Sequence, residues 1–175
     1  MKRYIICIFL LSCFVVKSQN LKKEDNIIYG KVTAITDGDT FKLLTQDSTL
    51  IRVRLANIDC PERKQPFSNK AKQFVSDAIF GDHINIHILK KDRYGRFIAN
   101  VMYKDALNLS YQLVQHGLAW HYKEYSKDTN LQAMEDEARK NKMGLWADSN
   151  SIAPWQWRAN KKEASRLKKL SENKK

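Results

Sequence analysis

A chain of 175 residues, 43% hydrophobic and 29% charged, has the length and make-up of one globular domain with tails, and it contains no internal repeat. Its formal charge of +12 and pI near 9.6 are less ordinary and suit a polyanionic partner, either nucleic acid or an anionic membrane surface. Three cysteines, two of them in the first 13 residues, exclude a disulfide framework for the rest of the chain.

The N-terminus stands apart from the fold. MKRYIICIFLLSCFVVKS has a basic start, an apolar run from Tyr4 to Val16 and a polar end, the pattern of a secretory signal rather than a membrane span. Residues 1–18 are expected to be removed, which makes the protein secreted or periplasmic. A lipoprotein anchored at Cys13, in LLSC, and an uncleaved anchor are the alternatives. Removal takes away Lys2, Arg3 and Lys17, lowering the formal charge from +12 to +9, and leaves Cys60 alone.

Beyond a polar spacer, IIYGKVTAITDGDTFKLLT reads as two strands around an Asp-Gly turn. STLIRVRLANI alternates, with Ile51, Val53 and Leu55 on one face and Arg52 and Arg54 on the other. PFSNKAKQFVSDAIFG changes to helical spacing through Ala71, Phe74, Val75, Ala78 and Ile79, with Gly81 as terminator. HINIHILKKD and RFIANVMY return to strand patterning on either side of the turn-like DRYG. Two helices follow: one capped by Asn108 and ended by Gly117, the other carrying Leu131, Met134 and Ala138 on one stripe and ended by Gly144. PWQWR is expected to pack its aromatics on the body. The lysine-rich residues 159–175 are expected to form a frayed or disordered basic tail, so that the folded domain spans 27–158. The pattern predicts an α+β fold, a five-stranded OB-fold β-barrel with about three helices, an architecture that commonly binds oligonucleotides.

Three polar clusters fall at strand ends: TDGDT with Asp37 and Asp39, RLANIDCPE with Arg54, Asp59 and Glu62, and DRYGR with Arg93 and Arg96. Taken singly they read as a hairpin turn, a surface charge cluster and a solvated basic turn. Brought onto one rim, they have what phosphodiester cleavage requires. Asp39, Asp59 and the main-chain carbonyl of Cys60 offer hard oxygen ligands suited to Ca²⁺. Glu62 can orient or deprotonate a water, and Arg54 and Arg96 can present planar donor forks to phosphate oxygens. The four histidines read as structural or surface residues, and Cys60, before a proline, as a small packing residue.

AITDGDTFKL, RVRLANIDCPE, DRYGRFIANV and LVQHGLAWHY occur in the order seen in the staphylococcal nuclease (thermonuclease) family, which the chain resembles from about Ile28 to Trp146. The resemblance implies an OB-fold with helices that cleaves DNA and RNA with Ca²⁺, leaving a 3′-phosphate and a 5′-hydroxyl. By motif position it implies Asp39 and Asp59 as calcium carboxylates and Cys60 in the place of a residue, commonly threonine, that ligates through its carbonyl. It implies Glu62 as candidate general base and Arg54 and Arg96 as phosphate-binding arginines. Tyr122 and Tyr125, in WHYKEYS, are candidates to contact a base or phosphate, and the loop RKQPFSNK is shorter than in the best-known member. The expected protein is a monomer with nucleic acid as its partner, meeting a membrane only through a lipid anchor or the basic tail. A different class remains open, a non-catalytic OB-fold that binds nucleic acid; the filled set of charged positions favours the enzyme.

Overall fold

A computed structural model describes residues 26–104 and 106–173, so the expected signal segment and the lipoprotein reading at Cys13 lie outside the described residues. Strands β1 (Ile27–Ile35), β2 (Thr40–Thr45) and β3 (Leu50–Leu55) form an antiparallel meander. After the two-residue β4 (Ile58–Asp59), helix α1 (Ser68–Ile79) crosses to β5 (His83–Lys91) and β6 (Phe97–Tyr103). The strands run β3-β2-β1-β5-β6, and a parallel pairing of Val53, Arg54 and Leu55 with Phe97, Ile98 and Ala99 closes the barrel. This is the five-stranded barrel expected from the alternating stretches. A closed sheet leaves no long unpaired edge on these five strands.

The alternation decides what fills it. Val32, Phe41, Leu43, Val53, Leu55, Ile86, Ala99 and Val101 point inward and are fully or almost fully buried. Ala71, Val75 and Ile79 of α1 plug the barrel together with Leu109, Leu113 and Val114. The last three belong to α2 (Leu109–Gln115), which follows the short β7 (Leu107–Asn108) and is capped, as expected, by Asn108 accepting from the N–H groups of Ser110 and Tyr111.

The short β8 (Trp120–His121) pairs with β4 and leads to α3 (Thr129–Lys140). Asp128, not foreseen as a cap, accepts from the N–H groups of Asn130 and Leu131. Gly117 and Gly144 meet backbone to backbone: a Cβ on Gly117 would lie 2.2 Å from the Met143 carbonyl oxygen, so no side chain fits there.

The expected basic tail is a helix. α4 (Pro154–Glu172) is continuous through Arg158, so a domain boundary at 158 falls inside it. Pro154 at the first turn and a run of Ala, Lys, Glu, Leu and Arg favour a helix even without an apolar face. Ion pairs one turn apart, Glu163–Arg166 and Lys168–Glu172, add a little. α4 is therefore the fourth helix, where about three were expected. The aromatics of PWQWR do pack on the body: Trp155 lies edge-on to Trp120 at 5.6 Å and stacks flat on Tyr122 at 5.2 Å.

Candidate active site

The three polar clusters arrive from different parts of the barrel. Asp39 closes the turn between β1 and β2, where Gly38 presses against the neighbouring chain: a Cβ there would meet the Ala71 Cβ at 2.7 Å and the Cys60 Cβ at 3.0 Å. The glycine thus serves close approach as well as the turn. Arg54 lies near the end of β3, and Asp59 ends β4.

These residues converge. One Arg54 nitrogen lies 3.2 Å from Asp39 Oδ2, and the other donates to Asp59 Oδ1 at 2.7 Å, so a single planar guanidinium bridges the two carboxylates. Both acids are almost fully buried, and Cys60 donates its N–H to Asp39 Oδ2 at 3.2 Å. Thr40 Oγ1 donates to Asp39 Oδ1 at 2.9 Å. Burial disfavours the charge on Arg54, but the adjacent Asp39 and Asp59 outweigh it and hold the guanidinium protonated.

Burial, followed by the Asp39 charge, pushes the Asp37 carboxyl up to about 7. Burial also pushes Asp59 up, against the pull of Arg158 and Arg54. The Cys60 thiol, fully enclosed, is pushed well above its ordinary range, which suits a packing role.

Glu62 stands at the rim. Its N–H donates to Gln65 Oε1 at 2.9 Å, while Gln65 Nε2 donates to the Ile152 carbonyl at 2.6 Å. Gln65, almost fully buried, thereby ties the Glu62 loop to the segment entering α4.

Arg158 is the residue that sequence reasoning missed. It reaches from α4 to donate to Asp59 Oδ2 at 2.8 Å and to Glu62 Oε1 at 2.5 Å. Desolvation works against its charge, but the hydrogen bonds to Asp59 and Glu62 outweigh it. The signal was Trp155 three residues earlier: a helix presents i and i+3 on one face, so docking Trp155 delivers Arg158 to the site.

Arg96 is held differently. Its Nε donates to Asp92 Oδ2 at 2.8 Å and its N–H to Asp92 Oδ1 at 2.9 Å, within its own turn. The register of β3 with β6 sets Arg96 level with Arg52, two residues short of Arg54. Among the described residues no ion pair joins it to Asp39, Asp59 or Glu62. Tyr122 lies beside the site, its hydroxyl pushed up by burial and by the charges of Glu124 and Asp59. Tyr125 packs edge-on to Tyr122 at 4.8 Å and is exposed. Of the histidines, His121 is buried between β4 and α3, and His83, His87 and His116 are exposed.

The donor chemistry suits a hard divalent cation. Asp39 and Asp59 are drawn together by Arg54, so the donors gathered here are carboxylate oxygens rather than nitrogen or thiolate, and in this structure all four are engaged by Arg54, Thr40, the Cys60 N–H or Arg158. Among the described residues no three His, Cys, Asp or Glu side chains form a cage.

The profile of the family described as Staphylococcal nuclease homologue matches residues 52–148. An uncharacterized endonuclease of Haemophilus influenzae is 38% identical over 160 residues, covering 91% of this chain and 88% of that protein. A micrococcal nuclease of Shigella flexneri is 40% identical over 146 residues, covering 78% of this chain and 83% of its own. The staphylococcal-like nuclease CAN1 of Arabidopsis thaliana is 38% identical over 111 residues, 63% of this chain and 34% of that protein. With the barrel and the bridged acid pair, these similarities identify the chain as a member of the staphylococcal nuclease family.

Proposed function

We propose that this member of the nuclease family is a Ca²⁺-dependent hydrolase of phosphodiester bonds in DNA and RNA, with low sequence preference. It leaves 3′-phosphate and 5′-hydroxyl ends and acts outside the cytoplasm. The observation that carries the reading is the Arg54 guanidinium bridging Asp39 and Asp59 beside Glu62. A strongly basic chain has little reason to bury two acids on a rim unless they serve a cation that lets an anion approach.

Asp39, Asp59 and the Cys60 carbonyl would hold Ca²⁺, which when bound neutralises the phosphate and polarises the attacked phosphorus. Arg54 presents its remaining donors to the phosphate oxygens as negative charge builds. Glu62 is suited to take the proton of an attacking water: its side chain is 38% exposed, against 9% for Asp39 and 2% for Asp59. Arg96, released from Asp92 by a competing phosphate, supplies the second planar fork. Tyr122 and Tyr125 form an aromatic ledge beside this pocket, suited to stacking a base.

The test is cleavage of single-stranded DNA and RNA by the purified protein with Ca²⁺, with chelator, and with Mg²⁺ alone. The ends are then read by labelling with and without phosphatase. Cleavage that requires Ca²⁺ and frees 5′-hydroxyls supports the reading. Tight binding without cleavage under any ion turns the chain into a binding barrel.

A further inference from the structure

Between the loop after Glu62 and the outer face of α4 lies a cleft of about 950 Å³ whose lining runs from Glu62 and Arg158 outward along the helix. Arg63, Lys162, Arg166 and Lys169 are among its cationic walls, and beyond Glu62 its one acid is Glu163. Arg158, Lys162, Arg166 and Lys169 follow each other at helical spacing, four, four and three residues apart, and so form one stripe. At 1.5 Å per residue the stripe is about 16 Å long, enough to run beside about three successive phosphates of one strand.

The stripe is open to a partner, and two further features separate it from an ordinary solvated face. Every residue from Arg158 to Asn173 is exposed, so Lys162, Arg166 and Lys169 are not spent on packing. Arg63, Lys162 and Lys169 pair with no carboxylate among the described residues, and Arg166 reaches Glu163 only at 3.9 Å. The stripe is continuous with the candidate catalytic group, because Glu62 and Arg158 belong to both. A narrow basic track that begins beside Glu62 fits a chain of phosphates better than a flat membrane.

We propose that α4 and the loop after Glu62 form a binding track for the nucleic-acid strand leaving the active site. The proposal rests on the nuclease reading and adds a subsite to it. Lys162, Arg166 and Lys169 neutralise phosphates along the track and release the cations condensed on the strand, while Arg158 joins the track to the reacting group.

The test uses the full-length chain and the K162A/R166A/K169A variant, alanine being the best helix former and so preserving α4. Anisotropy of a labelled 20-nucleotide thymidine strand, with chelator present, gives affinity as a function of salt. The variant's slope of log affinity against log salt is expected to be shallower by about 2, near 0.7 per lost phosphate contact. A K31A/K72A/K140A variant, with the same loss of charge outside the cleft, is expected to keep the native slope. With Ca²⁺, the ratio of kcat/KM for the 20-mer to that for a dinucleotide is expected to fall at least about five-fold in the first variant. An unchanged slope overturns the track, as does a parent chain that fails to bind the strand. So does a variant that loses only its binding to phosphatidylserine vesicles. A parent that binds with the full slope and cleaves nothing supports the track and overturns the nuclease reading instead.

Discussion

Arg158 and Asp59 lie 99 residues apart in the chain and meet at 2.8 Å, through a guanidinium whose other nitrogen holds Glu62. The acid with the most water access is thus tethered to the most buried one by a residue outside all four family motifs. Replacing Arg158 by alanine is expected to lower kcat about ten- to a hundred-fold, because Glu62 loses the contact that fixes its rotamer. Removing a competing cation should at the same time make Ca²⁺ bind several-fold tighter in a calorimetric titration. Weaker turnover with unchanged or weaker Ca²⁺ binding would show instead that Arg158 supports the fold of the site.

Arg54 serves two carboxylates at once, and a lysine cannot. Arg54→Lys is expected to cost about 10²-fold or more in kcat/KM, since one ammonium reproduces neither the bridge nor a bidentate phosphate contact. A variant that cleaves DNA at the native rate would reduce Arg54 to a structural counter-ion for Asp39 and Asp59.

Gly38 is a steric requirement of the acid turn. A methyl group there meets Ala71 at 2.7 Å and Cys60 at 3.0 Å, so α1 or the turn must move. Gly38→Ala is expected to lose about 1–3 kcal/mol in urea unfolding. The displaced Asp39 should lower activity at Ca²⁺ concentrations that saturate the parent. Native stability in the variant would mean that the turn relaxes without strain.

Acid stability has a local source in Asp128. The Tyr111 hydroxyl donates to its carboxylate at 2.5 Å, and that bond, despite partial desolvation, joins with the α3 N–H groups to hold Asp128 below its ordinary range. A depressed folded-state value means stability that is full above the unfolded-state value, about 3.9, and lost as pH falls through the folded one. Asp128→Asn keeps an amide oxygen for the cap but cannot titrate. Its unfolding free energy is expected to depend less steeply on pH below about 4 than that of the parent, measured by urea titration across that range.

Trp155 is the anchor that aims Arg158. Without it, α4 loses its stacking on Tyr122 and its edge contact with Trp120. Trp155→Ala is expected to reproduce the kcat loss of Arg158→Ala and to expose α4 to limited proteolysis. Equal losses, non-additive in the double variant, would put both residues on one structural path.

Much of this was legible in the chain because it is local. Period-two alternation with β-branched residues announced β1, β3 and β5, and the Asn108 cap and the Gly117 stop bounded α2. Arg54, Asp59 and Glu62 lie within nine residues of one another, so one stretch held most of the acid cluster. What escaped depends on contacts that sequence spacing does not encode. α4 looked like a polar tail because it lacks an apolar stripe, yet it docks through Trp155 and Arg158 near its start. Glu135 sits at a polar position of an exposed-looking helix, yet it is almost fully buried, accepting the His121 N–H and pairing with Arg139. Arg96 was read as a phosphate ligand by motif, while in this structure Asp92, four residues earlier, engages it.

The tether from α4 also ties the order of synthesis to the chemistry. The barrel strands, both bridged acids and Glu62 all precede residue 104, whereas Arg158 comes more than fifty residues later. A chain still emerging, or one clipped before Pro154, carries every motif of the family and yet lacks the clasp between Asp59 and Glu62. Completion of this clasp therefore waits for α4, and a proteolytic cut at the start of α4 would remove it while leaving every barrel strand in the chain.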